Sequence, residues 1–187
     1  TTSRVQVPLS HVAIDGEEIP IPLQGKVTEG KGWVLRNSKG QYTLTLDGLK
    51  AGSLERKTPA LEIQGDLTLV LKKGTESELL STDAALKKGA GTLTIRGEGS
   101  LRLQGETALE GEWKEETLNQ DEPSALRIEG GKLVFTGEET ALYEDTVELA
   151  GGEIQIQCLN GKGTGIRAHT LDDRHFSGSL EMEESEE

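Results

Sequence analysis

An all-β chain of stacked parallel strands is the fold this sequence predicts, and three observations predict it. The first is a recurring triplet in which aliphatic residues flank a polar one, as in Leu44-Thr45-Leu46, Leu61-Glu62-Ile63, Leu67-Thr68-Leu69, Leu93-Thr94-Ile95, Leu101-Arg102-Leu103, Leu126-Arg127-Ile128 and Ile154-Gln155-Ile156. Alternation with period two turns one face inward and the other to solvent. The second is punctuation by glycine: Gly48, Gly65, Gly74, Gly97, Gly105, Gly130, Gly137 and Gly161 follow such triplets within a few residues, where the chain must bend. The third is the pair Ala60-Leu61, repeated at Ala85-Leu86, Ala108-Leu109, Ala125-Leu126 and Ala141-Leu142 in steps of 25, 23, 17 and 16 residues. Unequal steps near 20 suit a coil whose loops bulge outward without disturbing its stacked strands, whereas a propeller blade needs about 40. An immunoglobulin-type sandwich of short alternating strands is the competing all-β arrangement. The closely spaced triplets at Leu61 and Leu67, Leu93 and Leu101, and Leu126 and Leu133 fit either hairpins or bends between successive faces of one coil. Recurrence of the whole module favours bends.

Taken in chain order, residues 1–32 have a texture of their own, with Pro8, Pro20 and Pro22 among short alternating runs. They are expected to form an N-terminal cap or hairpin over the first coil, since an open coil leaves strand edges and apolar interior uncovered. Residues 33–176 are expected to carry roughly six coils, a rod near ~30 Å long at about 4.8 Å per strand. Helix content is expected to be low. The one stretch with helical potential, 76–88, contains Ser81-Thr82-Asp83, which would cap or break it. Residues 113–123, rich in Glu, read as a long loop between coils with an extended exit at Pro123. Residues 177–187 hold five of the 33 acids within 181–187 and read as a solvated acidic tail.

Composition narrows the function classes. The 187 residues suit one domain, and a single cysteine excludes an intramolecular disulfide. A net charge of −13 opposes nucleic acid and anionic membrane surfaces, so neither is an expected partner. No run of 18 apolar residues offers a membrane span. A monomer is expected, and any signal or anchor would lie outside this segment.

The string Lys31-Gly32-Trp33-Val34-Leu35, followed by Tyr42-Thr43-Leu44-Thr45-Leu46-Asp47-Gly48-Leu49, resembles the opening of a group of secreted bacterial β-helix proteins known as carbohydrate-binding-domain-containing. The strands at 65–74 and 93–101, and the Gly130-Gly131 and Gly151-Gly152 strand starts, are similar to that group as well, so the resemblance spans roughly residues 31–168. It implies a right-handed parallel β-helix of three faces, related in shape to pectate lyases, that binds plant polysaccharide, with calcium on some members. Where the group often carries a stacking Asn, this chain reads Gly74-Thr75-Glu76-Ser77-Glu78-Leu79. No binding residue is carried over from it.

Candidate chemistry is sparse. Sugar binding rests on aromatic platforms and planar polar groups, and the six aromatics include two tryptophans. Trp113, in the acidic run 110–116, is the leading ligand-binding candidate, and Trp33 is the second, with a core or cap role as its alternative. A divalent metal on His169, Asp173 and His175 competes with a polar turn. Calcium is a possible cofactor through the turn carboxylates Asp66, Asp83, Asp121 and Asp145, although no Asp-x-Asp-x-Asp loop is present. The outward charges Glu62, Arg96, Arg102, Arg127 and Glu129 read as a salt-bridged surface, and no catalytic residue is assigned. Cys158 falls on the inward face of its strand, as a core thiol. The expected function is a non-catalytic carbohydrate-binding or adhesive module, secreted or at a bacterial surface. A structural spacer or protein-interaction module is the alternative, and a polysaccharide lyase comes third.

Overall fold

The computed structural model describes residues 5–113 and 123–184. Among them are nineteen strands and no helix. Four strands precede the coils: β1 (His11–Ile14), β2 (Glu17–Glu18), β3 (Val27–Gly30) and β4 (Trp33–Ser38). The first coil is β5 (Gln41–Leu46), β6 (Lys50–Gly52) and β7 (Leu61–Gln64), and the second is β8 (Leu67–Leu71), β9 (Glu76–Leu80) and β10 (Ala84–Lys88). In the third, β11 (Gly91–Gly97) leads to β12 (Ser100–Glu110), and in the fourth β13 (Ser124–Ile128) leads to β14 (Lys132–Tyr143). Both long strands run through two faces, with a register shift at Gly105/Thr107. The fifth coil is β15 (Thr146–Leu149), β16 (Glu153–Cys158) and β17 (Thr164–Arg167), after which come β18 (Thr170–Asp172) and β19 (Ser179–Glu184).

Each strand pairs in parallel with its equivalent one coil on, so three stacked faces arise. Face one runs β5-β8-β11-β13-β15-β18, and face two runs β6-β9-β12-β14-β16-β19. Face three runs β7-β10, the second halves of β12 and β14, then β17. Parallel register stacks like on like. Leu44, Leu69, Ile95, Ile128 and Leu149 form an inward column on face one. On face two the column is Ala51, Leu79, Leu103, Phe135 and Ile156, with the exposed Met182 in register beyond it, and on face three it is Leu61, Leu86, Leu109, Leu142 and Ile166. Phe135 is the bulkiest fully buried side chain, in an interior otherwise filled by Leu and Ile. Each fully buried Leu contributes roughly 1.5–3 kcal/mol of transfer free energy. Corners are tight: Gly97 has φ +110°, and a Cβ there would strike the backbone of Leu71 in the preceding coil.

The chain is therefore a parallel β-solenoid of about five turns rather than six. The hairpin and sandwich alternatives fall, because β7 pairs with β10 and β1 while β8 pairs with β5 and β11. Residues 76–88 hold β9 and β10, with the Ser81-Thr82-Asp83 interruption as the corner between them. Four of the Ala-Leu pairs open face three, but Ala125-Leu126 lies in β13 on face one. Along face three Ala60, Ala85, Ala108 and Ala141 are 25, 23 and 33 residues apart, and the last step contains the insertion after β12.

The expected N-terminal boundary shifts as well. Antiparallel β3 and β4 extend to Ser38 and pair with the edge of β5, so Trp33–Ser38 is not part of the parallel stack. The first coil's edges are met on face three by antiparallel β1 and on face one by antiparallel β4. Asn37 ties the segment down by donating to the Pro22 carbonyl at 3.0 Å. The acidic tail expected over 177–187 is corrected through Glu184: Ser179–Glu184 is β19, which pairs with β16 and places Leu180 and Met182 over Ile154 and Ile156. Alternation survives there beneath the glutamates.

Candidate functional site

The corner between face three and face one brings together side chains from three coils. In-register strand ends stack Glu110, Tyr143 and Arg167 on its outer side. A few residues further on, the same coils supply Trp113, Asp145 and His169. The Trp113 and Tyr143 rings stack with centroids 5.2 Å apart and planes 29° apart. The His169 imidazole centroid lies 3.6 Å from that of Trp113, with the planes tilted by 45°. The Arg167 guanidinium stands 5.5 Å from the Trp113 centroid and 5.8 Å from that of Tyr143. Asp145 orients the imidazole, its Oδ1 lying 2.5 Å from His169 Nδ1, and its carbonyl accepts from the His169 and Thr170 amides at 2.9 and 3.0 Å. Trp113 and Tyr143 are half-buried, whereas Arg167 and His169 are exposed. Such a corner offers an apolar ring surface beside planar donors and an acceptor, the combination that sugar hydroxyls and C–H faces require.

Directly beneath lies a charged network. Two residues after the Leu that opens face three, successive coils carry Ile63, Lys88, Gly111, Glu144 and Ala168. Lys88 and Glu144 are two coils apart, yet Lys88 Nζ meets Glu144 Oε2 at 2.7 Å with the two side chains 1% and 0% exposed. Gly111 in the coil between makes this possible, since a Cβ there would collide with the Glu144 carboxylate. Lys88 also donates to the Gly89 and Gly91 carbonyls and to Ser124 Oγ at 3.0, 2.9 and 2.9 Å. Ser124 Oγ donates to Glu144 Oε1 at 2.7 Å, and that oxygen also accepts from the Asp145 amide at 2.7 Å. Burial pushes the Glu144 carboxyl up and the Lys88 ammonium down from their ordinary values, each opposed by the other's charge. Glu144 Oε2 takes no directional hydrogen bond among the described residues, so its compensation comes from the ion pair.

Of the residues singled out in the sequence, Trp113 joins this corner as the leading ligand-binding candidate, together with His169 and Asp145, which the sequence offered for a metal and for calcium. Trp33 lies in β4, with its ring over Gly30 and partly buried against the core. It lines a separate groove of about 430 Å³ with Ile14, Ile19, Pro20 and Leu49. The metal set His169, Asp173 and His175 does not converge. His169 turns to Asp145, and no group of three or more His, Cys, Asp or Glu fit to hold a metal occurs among the described residues. Asp66 accepts the Val7 and Thr92 amides at 3.1 and 2.8 Å, a turn role, and Asp121 lies outside the described residues. Arg127 bonds Glu129 and Glu148 at 2.7 and 2.9 Å, as a salt-bridged outer face requires. Cys158 is buried, with Sγ 3.3 Å from the Asn160 carbonyl. At the opposite corner, between faces one and two, Gly97, Gly130, Gly131, Gly152 and Gly178 floor an open groove of about 530 Å³ rimmed by Lys132 and Glu153. Sequence reasoning passed over Tyr143, Arg167, Lys88 and Glu144. The available signal was an opposite-charge pair, Lys88 and Glu144, at one position of the Ala-Leu repeat.

Fold and corner together define a three-faced parallel β-solenoid with side chains from successive coils gathered on its outer wall. The chain belongs to the carbohydrate-binding domain-containing protein family, whose model matches residues 10–185. No curated protein and no solved structure matches it.

Proposed function

We propose that the chain is a non-catalytic carbohydrate-binding module, secreted or displayed at a bacterial surface, whose contact surface is the Trp113 corner. The supporting observation is the near-parallel stacking of Trp113 and Tyr143 beside the exposed Arg167 and His169. A pyranose ring laid against this half-buried ring cluster buries its C–H face, while the guanidinium, imidazole and Asp145 carboxylate address hydroxyl groups. Plant polysaccharide is the expected ligand class, and calcium is proposed as an auxiliary ligand rather than a structural necessity. A glycan array run with and without calcium tests this: the expected result is retention of at least one polysaccharide, and silence under both conditions overturns it.

A second reading, a rigid spacer or protein-interaction module without a small ligand, is favoured by the paired charges of the outer faces, such as Arg127 with Glu129 and Glu148. It predicts that substitution of Trp113 changes no interaction. A lyase reading is tested by incubation with polygalacturonate and calcium, with release of unsaturated product as its positive outcome.

A further inference from the structure

We propose that the buried Lys88–Glu144–Ser124 network positions the aromatic corner, with these three residues acting on the contact surface through the backbone that bears it. The inference rests on the reading of that corner as the contact surface.

The network occupies a place where the fold asks for aliphatics. Ile63 and Ala168 fill the same position of the repeat in the first and fifth coils. Replacement of a buried ion pair by apolar residues of similar volume is often neutral or stabilising, so core stability alone does not account for the pair. What an aliphatic pair lacks is direction. Glu144 and Ser124 hydrogen-bond to backbone amides at or next to the corner residues, and Lys88 holds both of them. Glu144 Oε1 accepts from the Asp145 amide at 2.7 Å, and the Asp145 carboxylate holds His169. Ser124 Oγ accepts from the Glu112 amide at 3.4 Å, one residue before Trp113. The Gly111 amide donates to the Tyr143 carbonyl at 2.5 Å, so the coil bearing Trp113 is fastened to the residue preceding Glu144. Lys88 closes the set by bonding Ser124 and the Gly89 and Gly91 carbonyls of its own corner. The chain on either side of Glu144 carries Tyr143 and Asp145, so a shift of the carboxylate moves two members of the corner together.

The test reads the environment of Trp113 without needing a glycan. The chain has two tryptophans, so a Trp33→Phe background leaves Trp113 as the single one. On that background the double variant Lys88→Met/Glu144→Leu and, separately, Ser124→Ala are compared for thermal melting, emission maximum and acrylamide quenching. The expected result is a folded protein with red-shifted Trp113 emission and a raised quenching constant. Unchanged emission and quenching in a folded variant overturn the proposal, because a merely structural network would alter melting alone. Should the double variant fail to fold, Ser124→Ala decides by the same readout. Titration with a polysaccharide retained by the unsubstituted protein separates the two claims. Absence of glycan binding by that protein removes the contact-surface reading, whereas the fluorescence result judges the positioning role on its own.

Discussion

Gly111 shows how one missing side chain organises its surroundings. The Lys88 and Glu144 side chains meet in the plane of the coil between their own, and only a residue without a Cβ leaves that space. Gly111→Ala is therefore expected to push the carboxylate off the ammonium and cost about 3–5 kcal/mol, the usual range for breaking a buried pair. Urea denaturation measures it, and a loss well under 1 kcal/mol would show that the pair relaxes around the methyl. Glu144→Gln alone is expected to destabilise the fold more than the apolar double variant does, because it leaves the Lys88 ammonium buried without its counter-charge. The same denaturation series checks this order. At this scale the sequence was partly legible. Trp113 stood out as an aromatic in an acidic run, but its partners Tyr143, Arg167 and His169 lie 30 or more residues away and meet it only once the coil lengths are known.

The elements were easier to read than their boundaries. Alternating Leu and Ile identified most strands, since a period of two has few explanations in a chain this rich in glycine. Two effects hid the rest. The glutamates of 181–184 masked the alternation of Leu180 and Met182, although the register with Ile154 and Ile156 depends only on those two positions. The Ala-Leu marker counted one pair from a different face, which shortened the apparent repeat and inflated the number of coils. Antiparallel β1 and β4 occupy the first coil's edges on β7 and β5. If these strands serve as a cap, a chain lacking residues 5–38 exposes those edges, and unpaired edges template association. Concentration-dependent assembly in sedimentation velocity is the expected outcome, and a stable monomer of unchanged melting temperature would show that the segment has no capping role.

Across the whole molecule, the composition constrains how the proposed contact surface would hold a glycan, since only six of the 187 residues are aromatic. Few aromatics follow from the architecture, because a narrow interior stacked with Leu and Ile admits little beyond Phe135. Of the remaining rings, Trp33, Tyr42 and Phe176 pack partly buried against that core, and Trp113 and Tyr143 meet in the corner. On the proposed reading, so few rings leave the contact surface one platform. Removal of that platform should then abolish most of the affinity rather than trim it. The most direct test is calorimetric titration of an array-selected polysaccharide into the unsubstituted protein, Trp113→Ala and Trp33→Phe. The expected result is saturable binding that Trp113→Ala weakens at least about tenfold, or roughly 1.4 kcal/mol, and that Trp33→Phe leaves intact. Equal affinity in the unsubstituted protein and Trp113→Ala would contradict the assignment of the corner as the contact surface.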